Sequence, residues 1–380
     1  MTQFSLTEDQ LARQGSFRGF VDREVAPLAD RHDREQRVDR ELVDLLAKEG
    51  MLASQIPAEL GGRGLDAVSY ALLHEEMGRG CSSVRSLLTV HDMVTETVRR
   101  FGGPQLRQRW LPQLLSGQAL GSFALTEPDT GSDAAALTTR AEPAPDGDGF
   151  HLTGVKRWIT FGQLADVFLV FARTPRGVSA FLVERDRPGI VVRPVPDMLG
   201  TRGSMLAEVE LDGCRIPRAN LVGGQGRAHP FVVTHALTLG RLSVACGSVG
   251  IVRAALDEAT SYATARGTLR HQLVQRMIAD MVVAGRAGRM LALRAGESIW
   301  ARSPGAPMAA TEAKYFCSRA AADAARDAVQ VMGAAGCAPG APTARLYRDA
   351  KVMEIIEGSH EISQSMIGMF RHRDGSLAHG

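Results

Sequence analysis

Val167-Phe168-Leu169-Val170-Phe171, closely followed by Val178-Ser179-Ala180-Phe181-Leu182-Val183, is a pair of short apolar runs rich in β-branched and aromatic residues. Runs of this length, separated by turn residues, read as buried strands. Downstream, Ala207, Val209 and Leu211 alternate with Glu208 and Glu210, the period of a half-exposed strand. Upstream, Asp146-Gly147-Asp148-Gly149 has the composition of a hairpin turn. Residues 118–225 are therefore expected to form a small β domain. On either side the period becomes helical. Leu42, Leu45, Leu46 and Leu52, and then Val84, Leu87, Leu88, Val94 and Val98, fall near helical spacing, interrupted by the glycine-rich loop Pro57 to Gly64. Beyond residue 225 long alanine-rich helical segments return, broken at Ser303-Pro304-Gly305 and around Gly336 to Pro342. The expected fold is α+β and mostly α: a helical domain over 1–117, a β domain over 118–225 and a helical domain over 226–380. A sheet confined to one central block argues against alternating βαβ units and a doubly wound dinucleotide fold.

Composition narrows the class further. The chain has 380 residues with 44 Lys plus Arg against 42 Asp plus Glu, a net charge of +2. That balance offers no electrostatic footprint for nucleic acid or an anionic membrane. No uninterrupted run of eighteen apolar residues occurs, and the start, Met1 to Asp33, is polar, so neither a spanning helix nor a secretory signal is expected. Cys81, Cys214, Cys246, Cys317 and Cys337 lie far apart with no CxxC pair. Free buried thiols in a reducing compartment, with the cytoplasm as default, are expected in place of disulfides or a metal site.

Three stretches carry chemistry. In Arg348-Asp349-Ala350-Lys351-Val352-Met353-Glu354-Ile355-Ile356-Glu357-Gly358-Ser359-His360-Glu361-Ile362 a glutamate closes an apolar helical stretch and glycine follows at once. Glu357 is either solvated at a helix stop or placed on a turn that aims its carboxyl into a pocket. In Phe123-Ala124-Leu125-Thr126-Glu127-Pro128-Asp129-Thr130-Gly131-Ser132-Asp133, Pro128 and Gly131 force a turn. Its exposed N–H groups and the Thr126 and Ser132 hydroxyls can hold a flavin ring edge or a phosphate, or form an ordinary polar loop. In Val155-Lys156-Arg157-Trp158-Ile159-Thr160 a strand carries Trp158 and Thr160 on one face, to stack on a ring or to serve as core.

Together these stretches resemble the acyl-CoA dehydrogenase family. The likeness covers nearly the whole chain: the loop from Thr126 to Asp133, Trp158-Ile159-Thr160, Gln330-Val331-Met332-Gly333, Arg348-Asp349-Ala350 and Glu357-Gly358-Ser359, in order and register over more than 230 residues. The resemblance implies a helical N-terminal domain, a β-barrel-like middle domain, a C-terminal four-helix bundle around FAD, and a homodimer or dimer of dimers. It implies that Leu125, Thr126, Gly131 and Ser132 contact the flavin and pyrophosphate, with Ser132 also near substrate. Trp158 and Thr160 would flank the isoalloxazine, and Gln330 and Gly333 would touch the adenosine half of FAD on a neighbouring subunit. Ser359 and Glu361 resemble cofactor contacts after the base. Glu357 matches the family's catalytic base, which removes a proton α to the thioester as hydride leaves the β carbon for flavin N5. One branch carries its base just before an arginine matching Arg241; here that position is Gly240. Arg241 itself would orient Glu357, cofactor or substrate, or form a packing salt bridge.

Two departures stand out. The family's arginine–aromatic loop, which reaches across the dimer to FAD, is shortened: Arg266-Gly267-Thr268-Leu269-Arg270 runs almost directly into His271-Gln272. Arg266 or Arg270 remains to reach a phosphate. Gly333-Ala334-Ala335-Gly336-Cys337 has alanine and cysteine where the family has glycine and an aromatic, the mark of a specialised branch. His91, His271 and His360 read as structural histidines.

Substrate class turns on Cys81-Ser82-Ser83-Val84-Arg85-Ser86-Leu87-Leu88-Thr89-Val90-His91. Arg85 resembles the arginine that glutaryl-CoA dehydrogenases use to hold a substrate carboxylate; the alternative is a surface arginine. Together with Gly240-Arg241-Leu242-Ser243-Val244-Ala245-Cys246 and Tyr347 to Ser359, it resembles a narrower group: acyl-carrier-protein-linked dehydrogenases that make hydroxymalonyl, methoxymalonyl or aminomalonyl extender units. The resemblance implies an FAD enzyme oxidising the β carbon of a short polar acyl thioester on a carrier protein. Alternatives are a short-chain or dicarboxylic CoA thioester, a non-catalytic flavoprotein, and a flavin monooxygenase. An electron-accepting flavoprotein or oxygen would complete the cycle.

Overall fold

The computed structural model of the protein describes residues 6–374. Helices α1 (Glu8–Phe20), α2 (Ala29–Glu35), α3 (Arg40–Lys48), α4 (Ala67–Gly80), α5 (Ser82–Phe101) and α6 (Pro104–Leu115) come first. Local chemistry sets their starts. The Thr7 hydroxyl accepts from the Gln10 N–H while the Gln10 side chain takes the Thr7 N–H, and Asp66 accepts from the N–H groups of Val68 and Ser69. The helically spaced Val84, Leu87, Leu88, Val94 and Val98 of α5 are all buried, but so is every residue from Ser82 to Thr95, so the helix is covered nearly all round.

Strands β1 (Gly121–Ala124), β2 (Arg140–Pro143), β3 (Phe150–Ile159), β4 (Val167–Thr174), β5 (Gly177–Glu184), β6 (Ile190–Pro194), β7 (Ala207–Ile216) and β8 (Leu221–Val222) follow. They form one mixed sheet in the order β6-β7-β3-β2-β4-β5-β8, with β1 paired parallel to β4. Among the described residues its two outer strands, β6 and β8, do not pair. The Asp146–Gly149 turn joins antiparallel β2 and β3, with Gly147 at φ +74°. The first six residues of β4, Val167 to Ala172, are apolar and buried because both faces of the strand are covered there. Val167, Leu169 and Phe171 pack with Val94, Val98 and Trp110 of α5 and α6, whereas Phe168 and Val170 pack with Phe150, Phe181 and Val209 inside the sheet. Each such buried side chain stabilises the fold by roughly 1.5–3 kcal/mol.

Helices α7 (Thr234–Ala265), α8 (Gln272–Trp300), α9 (Ala306–Met332), α10 (Pro342–Ile355) and α11 (His360–Asp374) complete the chain. The segment Ala228–Ala265 is long and apolar enough to cross a membrane, but 83% of its apolar window is buried inside the protein, so it is a core helix. α4 and α7 touch backbone to backbone at Gly78 and Gly247: a Cβ on Gly78 would lie 2.8 Å from the Gly247 carbonyl carbon. Cys81, Cys214, Cys246 and Cys317 are buried free thiols; Cys337 departs from that expectation and is exposed.

Candidate active site

α10 buries Leu346, Ala350 and Met353, and its docking is fixed at mid-helix by a hydrogen bond from the Thr201 N–H to Asp349 and by an Arg348–Asp33 ion pair. The helix then stops. Ile356 is extended, Glu357 is left-handed at φ +57° and Gly358 follows at φ +100°. A left-handed glutamate costs about 1–2 kcal/mol, so other contacts must hold the turn. Two buried cations do so. Arg241 Nε donates to the Glu357 carbonyl at 3.1 Å while its Nη1 donates to Thr311, and Lys314 Nζ donates to the carbonyls of Glu354 and Gly358 at 3.1 and 2.6 Å. Arg241 is thus committed to the turn's backbone.

The strained turn aims the Glu357 carboxyl inward. Its Oε2 is buried and has no hydrogen-bond partner among the described residues. Burial pushes the carboxyl from its ordinary 4.5 up to about 7, against the opposing pull of Arg241, Arg85 and Lys314. Burial also lowers Lys314 to about 8. This is the profile of a base near neutral pH. The space it occupies exists because residue 240 has no side chain: a Cβ there would lie 2.6 Å from Glu357 Cδ. A side chain at 240 and a carboxyl from 357 therefore compete for one place. Gly240→Ala should raise helix stability by up to ~1 kcal/mol, because alanine is the better helix former, yet lower turnover by displacing the carboxyl. A melting curve and a rate measurement on the same sample check both.

Arg85 is not a surface arginine. It is 1% exposed, its stem lying on α7 where a Cβ at Gly247 would come within 2.9 Å of Nε. Its Nη1 donates to Thr89 Oγ1 at 3.0 Å and Ser243 Oγ at 3.2 Å, and its Nη2 to Ser86 Oγ at 3.0 Å and Met353 Sδ at 3.4 Å. Nε has no partner among the described residues. Burial lowers its pKa to about 10, so it stays charged near neutrality; Glu357 is the first group opposing that fall.

In the middle domain, Trp158 contradicts the simple strand reading. The burial alternation of β3 runs through Phe150, Leu152 and Lys156, and the next position on that face would be Trp158. A bulge between Lys156 and Ile159 puts Trp158 at φ +62°, turns its indole out to 43% exposure and sends Ile159 into the core. Thr160 lies just past the strand rather than on a shared face with Trp158. The Arg157 guanidinium covers the indole at 4.7 Å. The Leu125–Asp133 loop is stitched alongside: Arg157 N–H donates to the Thr126 carbonyl, and Lys156 Nζ donates to the Leu125 carbonyl and Glu127 Oε1 at 3.0 and 2.8 Å. Glu127 also accepts from both Thr138 groups and the Thr139 N–H. Although burial opposes it, these donors hold Glu127 down to about 2, while burial brings Lys156 to about 8. The pair is charged at neutrality and pins the loop beside Trp158. Gly131 and Ser132 are exposed, and Thr126 and Thr160 partly so.

The other candidates lie elsewhere. Ser359 is partly buried, with its hydroxyl accepting from the Ile362 N–H, and Glu361 is exposed on α11. Arg266 follows the end of α7, roughly 40 Å from Gly240 at 1.5 Å per residue, and Gln330 lies roughly 24 Å beyond Lys314 along α9 on the same rise. Because Arg241 meets Thr311 near one end of these two helices, and Ala259 and Ala328 belong to one shared core cluster further along them, Arg266, Gln330 and Gly333 share the far end of the bundle. The structure thus divides the candidates into two places. Sequence reading missed Lys314, although a lysine among the alanines of α9's buried face was a signal; it also missed the Glu127–Lys156 pair.

Residues 7–118, 122–214 and 231–370 match the N-terminal, middle and C-terminal domain models of acyl-CoA dehydrogenase. The chain belongs to the acyl-CoA dehydrogenase family. It is 36% identical over 369 residues to rat mitochondrial short-chain specific acyl-CoA dehydrogenase, covering 94% of this chain and 88% of that one. Among solved structures, glutaryl-CoA dehydrogenase of Mycobacterium smegmatis in complex with FADH2 superposes with a TM-score of 0.90 at 29% identity, covering 99% of this chain and 97% of that one. FkbI, for biosynthesis of the methoxymalonyl extender unit of the Fk520 polyketide, superposes at 0.86 with 33% identity, covering 95% and 99%. This acyl-CoA dehydrogenase family member is an oxidoreductase with the family's three-domain fold, and the family's cofactor is FAD. The residues here fit that group: the exposed indole of Trp158 offers a stacking face, Ser132 is exposed, and Thr126 and Thr160 are partly so.

Proposed function

We propose that this protein dehydrogenates a short, polar acyl thioester carried on an acyl carrier protein, with Glu357 as base and Arg85 as anchor for the polar end of the acyl group. The observation that carries this reading is Arg85. A guanidinium buried to 1% exposure normally pairs with an anion, yet its partners here are hydroxyls and a thioether. The Met353 sulfur is a weak acceptor, so an oxygen from the acyl group would replace it with gain. An alkyl chain in the same place would strand the charge.

FAD, when bound, supplies the acceptor for the hydride leaving the β carbon. Leu125, Thr126, Gly131, Ser132, Trp158 and Thr160 would hold its ring and pyrophosphate, with Ser359 and Glu361 nearby. The protein's own part is acid–base and positional. Glu357 takes the proton from the substrate, α to the thioester or from a β-hydroxyl, and Lys314 and Arg241 hold the turn that presents it. Arg266, Gln330 and Gly333, at the far end of the bundle, would serve the adenosine half of FAD on a neighbouring subunit. A homo-oligomer follows, consistent with the exposed Leu273, Val283 and Met290 on α8. The likeness to FkbI supports a carrier protein as the thioester's bearer. A second reading, a glutaryl-like CoA thioester, is favoured by the same arginine and by the glutaryl-CoA dehydrogenase likeness. An electron-accepting flavoprotein or oxygen would accept the electrons.

Anaerobic mixing of the yellow holoprotein with glyceryl-, seryl- and butyryl-carrier protein and with glyceryl-, glutaryl- and butyryl-CoA decides between them. Fastest bleaching is expected with the glyceryl or seryl carrier protein. Preference for glutaryl-CoA would select the second reading, and preference for butyryl in either form would remove Arg85 from its role.

A further inference from the structure

Behind Arg85 lies a buried polar chain that neither the base nor the cofactor uses. Asp92 on α5 accepts from the Ala53 N–H at 2.9 Å, from the Tyr70 hydroxyl at 2.8 Å and faces His74 Nε2 at 3.3 Å. The other ring nitrogen of His74, Nδ1, meets Ser243 Oγ at 2.8 Å, and Ser243 Oγ meets Thr89 Oγ1 at 2.6 Å. Both of those hydroxyls receive Arg85 Nη1. Asp92, His74, Ser243 and Thr89 are at most 3% exposed. The Tyr70 and His74 rings pack against each other at 4.4 Å between centroids, tilted by 48°, which restrains the imidazole.

Donor and acceptor accounting orients the whole chain. A carboxylate only accepts, so its partner assigns the proton of His74 to Nε2 and leaves a lone pair on Nδ1. Ser243 must then donate to Nδ1. Its lone pairs then face Arg85 Nη1 and the Thr89 hydroxyl, whose one proton is shared between Ser243 and the Arg85 carbonyl at 2.9 Å. Burial lowers the pKa of His74, which favours this neutral tautomer. Such a chain polarises along its length, so each bond strengthens the next. The consecutive helices α4 and α5 meet the distant α7 here, and a buried network of this kind is costly unless every member is satisfied.

We infer that His74 and Asp92 are positioning residues that, through Ser243 and Thr89, hold the Arg85 guanidinium in the one orientation that presents the Nη2 N–H now on the Met353 sulfur to the polar end of the acyl group. The inference rests on Arg85 being the acyl anchor. Substrate selectivity is then set from α4 and α7 as much as by Arg85.

The test compares binding of glyceryl- and propionyl-pantetheine thioesters, matched in carbon number, to the FAD-loaded protein by titration calorimetry, with KM and kcat measured alongside. Ser243→Ala and Asp92→Asn should each weaken glyceryl over propionyl binding by about tenfold, the scale of one hydrogen bond to a charged group, and should act on KM rather than kcat. Thr89→Val should do the same and Thr89→Ser should restore the preference. Arg85→Met serves as reference. If it leaves the glyceryl preference intact, the anchor itself is wrong. If it abolishes the preference while Ser243→Ala and Asp92→Asn weaken both thioesters equally or neither, the anchor stands and the positioning chain is overturned.

Discussion

Glu357→Gln should keep the protein yellow with bound FAD and lower kcat by about 10²–10⁴-fold, the range supplied by a positioned general base. Glutamine fills the same space beside Gly240 but cannot take a proton. In the parent protein kcat/KM should rise with pH through about 7, because the carboxyl titrates there and only its ionised form is a base. Stability should move the other way. The folded-state pKa of Glu357 lies above its ordinary 4.5, so the unfolded chain releases that proton first. Its contribution is fully present below about pH 4.5 and is lost as pH rises through about 7. The Gln variant should therefore melt above the parent at pH 8 and close to it at pH 4. A pH-independent melting difference would place the carboxyl in water instead of in the site.

Arg85→Met should reverse selectivity. Methionine occupies the arginine's apolar stem, removes the desolvated charge, and leaves Thr89 and Ser243 bonded to each other. The expected result is a loss of about 10²-fold or more in kcat/KM for the polar thioester, since a buried group built to pair with substrate is worth several kcal/mol, with the apolar analogue gaining. The melting temperature should hold or rise, because replacing buried charge with apolar volume is often neutral or stabilising. One coupled effect separates this from general damage. Arg85 is among the cations that restrain the upward shift of Glu357. Without it the pH–rate profile should move to higher pH, a displacement that loosening of the fold does not produce.

Much of the fold was legible because period and turn chemistry are local. The unbroken run Val167–Phe171 meant a strand covered on both sides, and β4 is covered by α5 and α6 on one face and by the sheet's own interior on the other. Gly358 after an apolar helix marked the turn that carries Glu357. The reading of Trp158 failed where alternation did, at a bulge whose positive φ has no signature in Arg157-Trp158-Ile159. For Arg85 the residues allowed either a surface position or an acyl anchor, and only burial decides that it is no surface group. The resemblance already set Gln330 and Gly333 apart from the flavin contacts, and two helices of full bundle length show how far apart those two groups lie.

What the chain's order of residues determined unaided was the succession of helices, sheet and helices, and a glutamate set on a turn by the glycine behind it. Those depend on contacts a few residues apart. The tertiary structure alone decided that the missing side chain of Gly240 would become the room for Glu357, and that Arg85 would meet a hydroxyl 158 positions away in Ser243. It also decided that His74 and Asp92 would stand behind them. The reason is physical: periodicity tells which face of a helix is buried but not which helix covers it, and desolvation, which turns a carboxyl into a base and a guanidinium into an anchor, belongs to the covering.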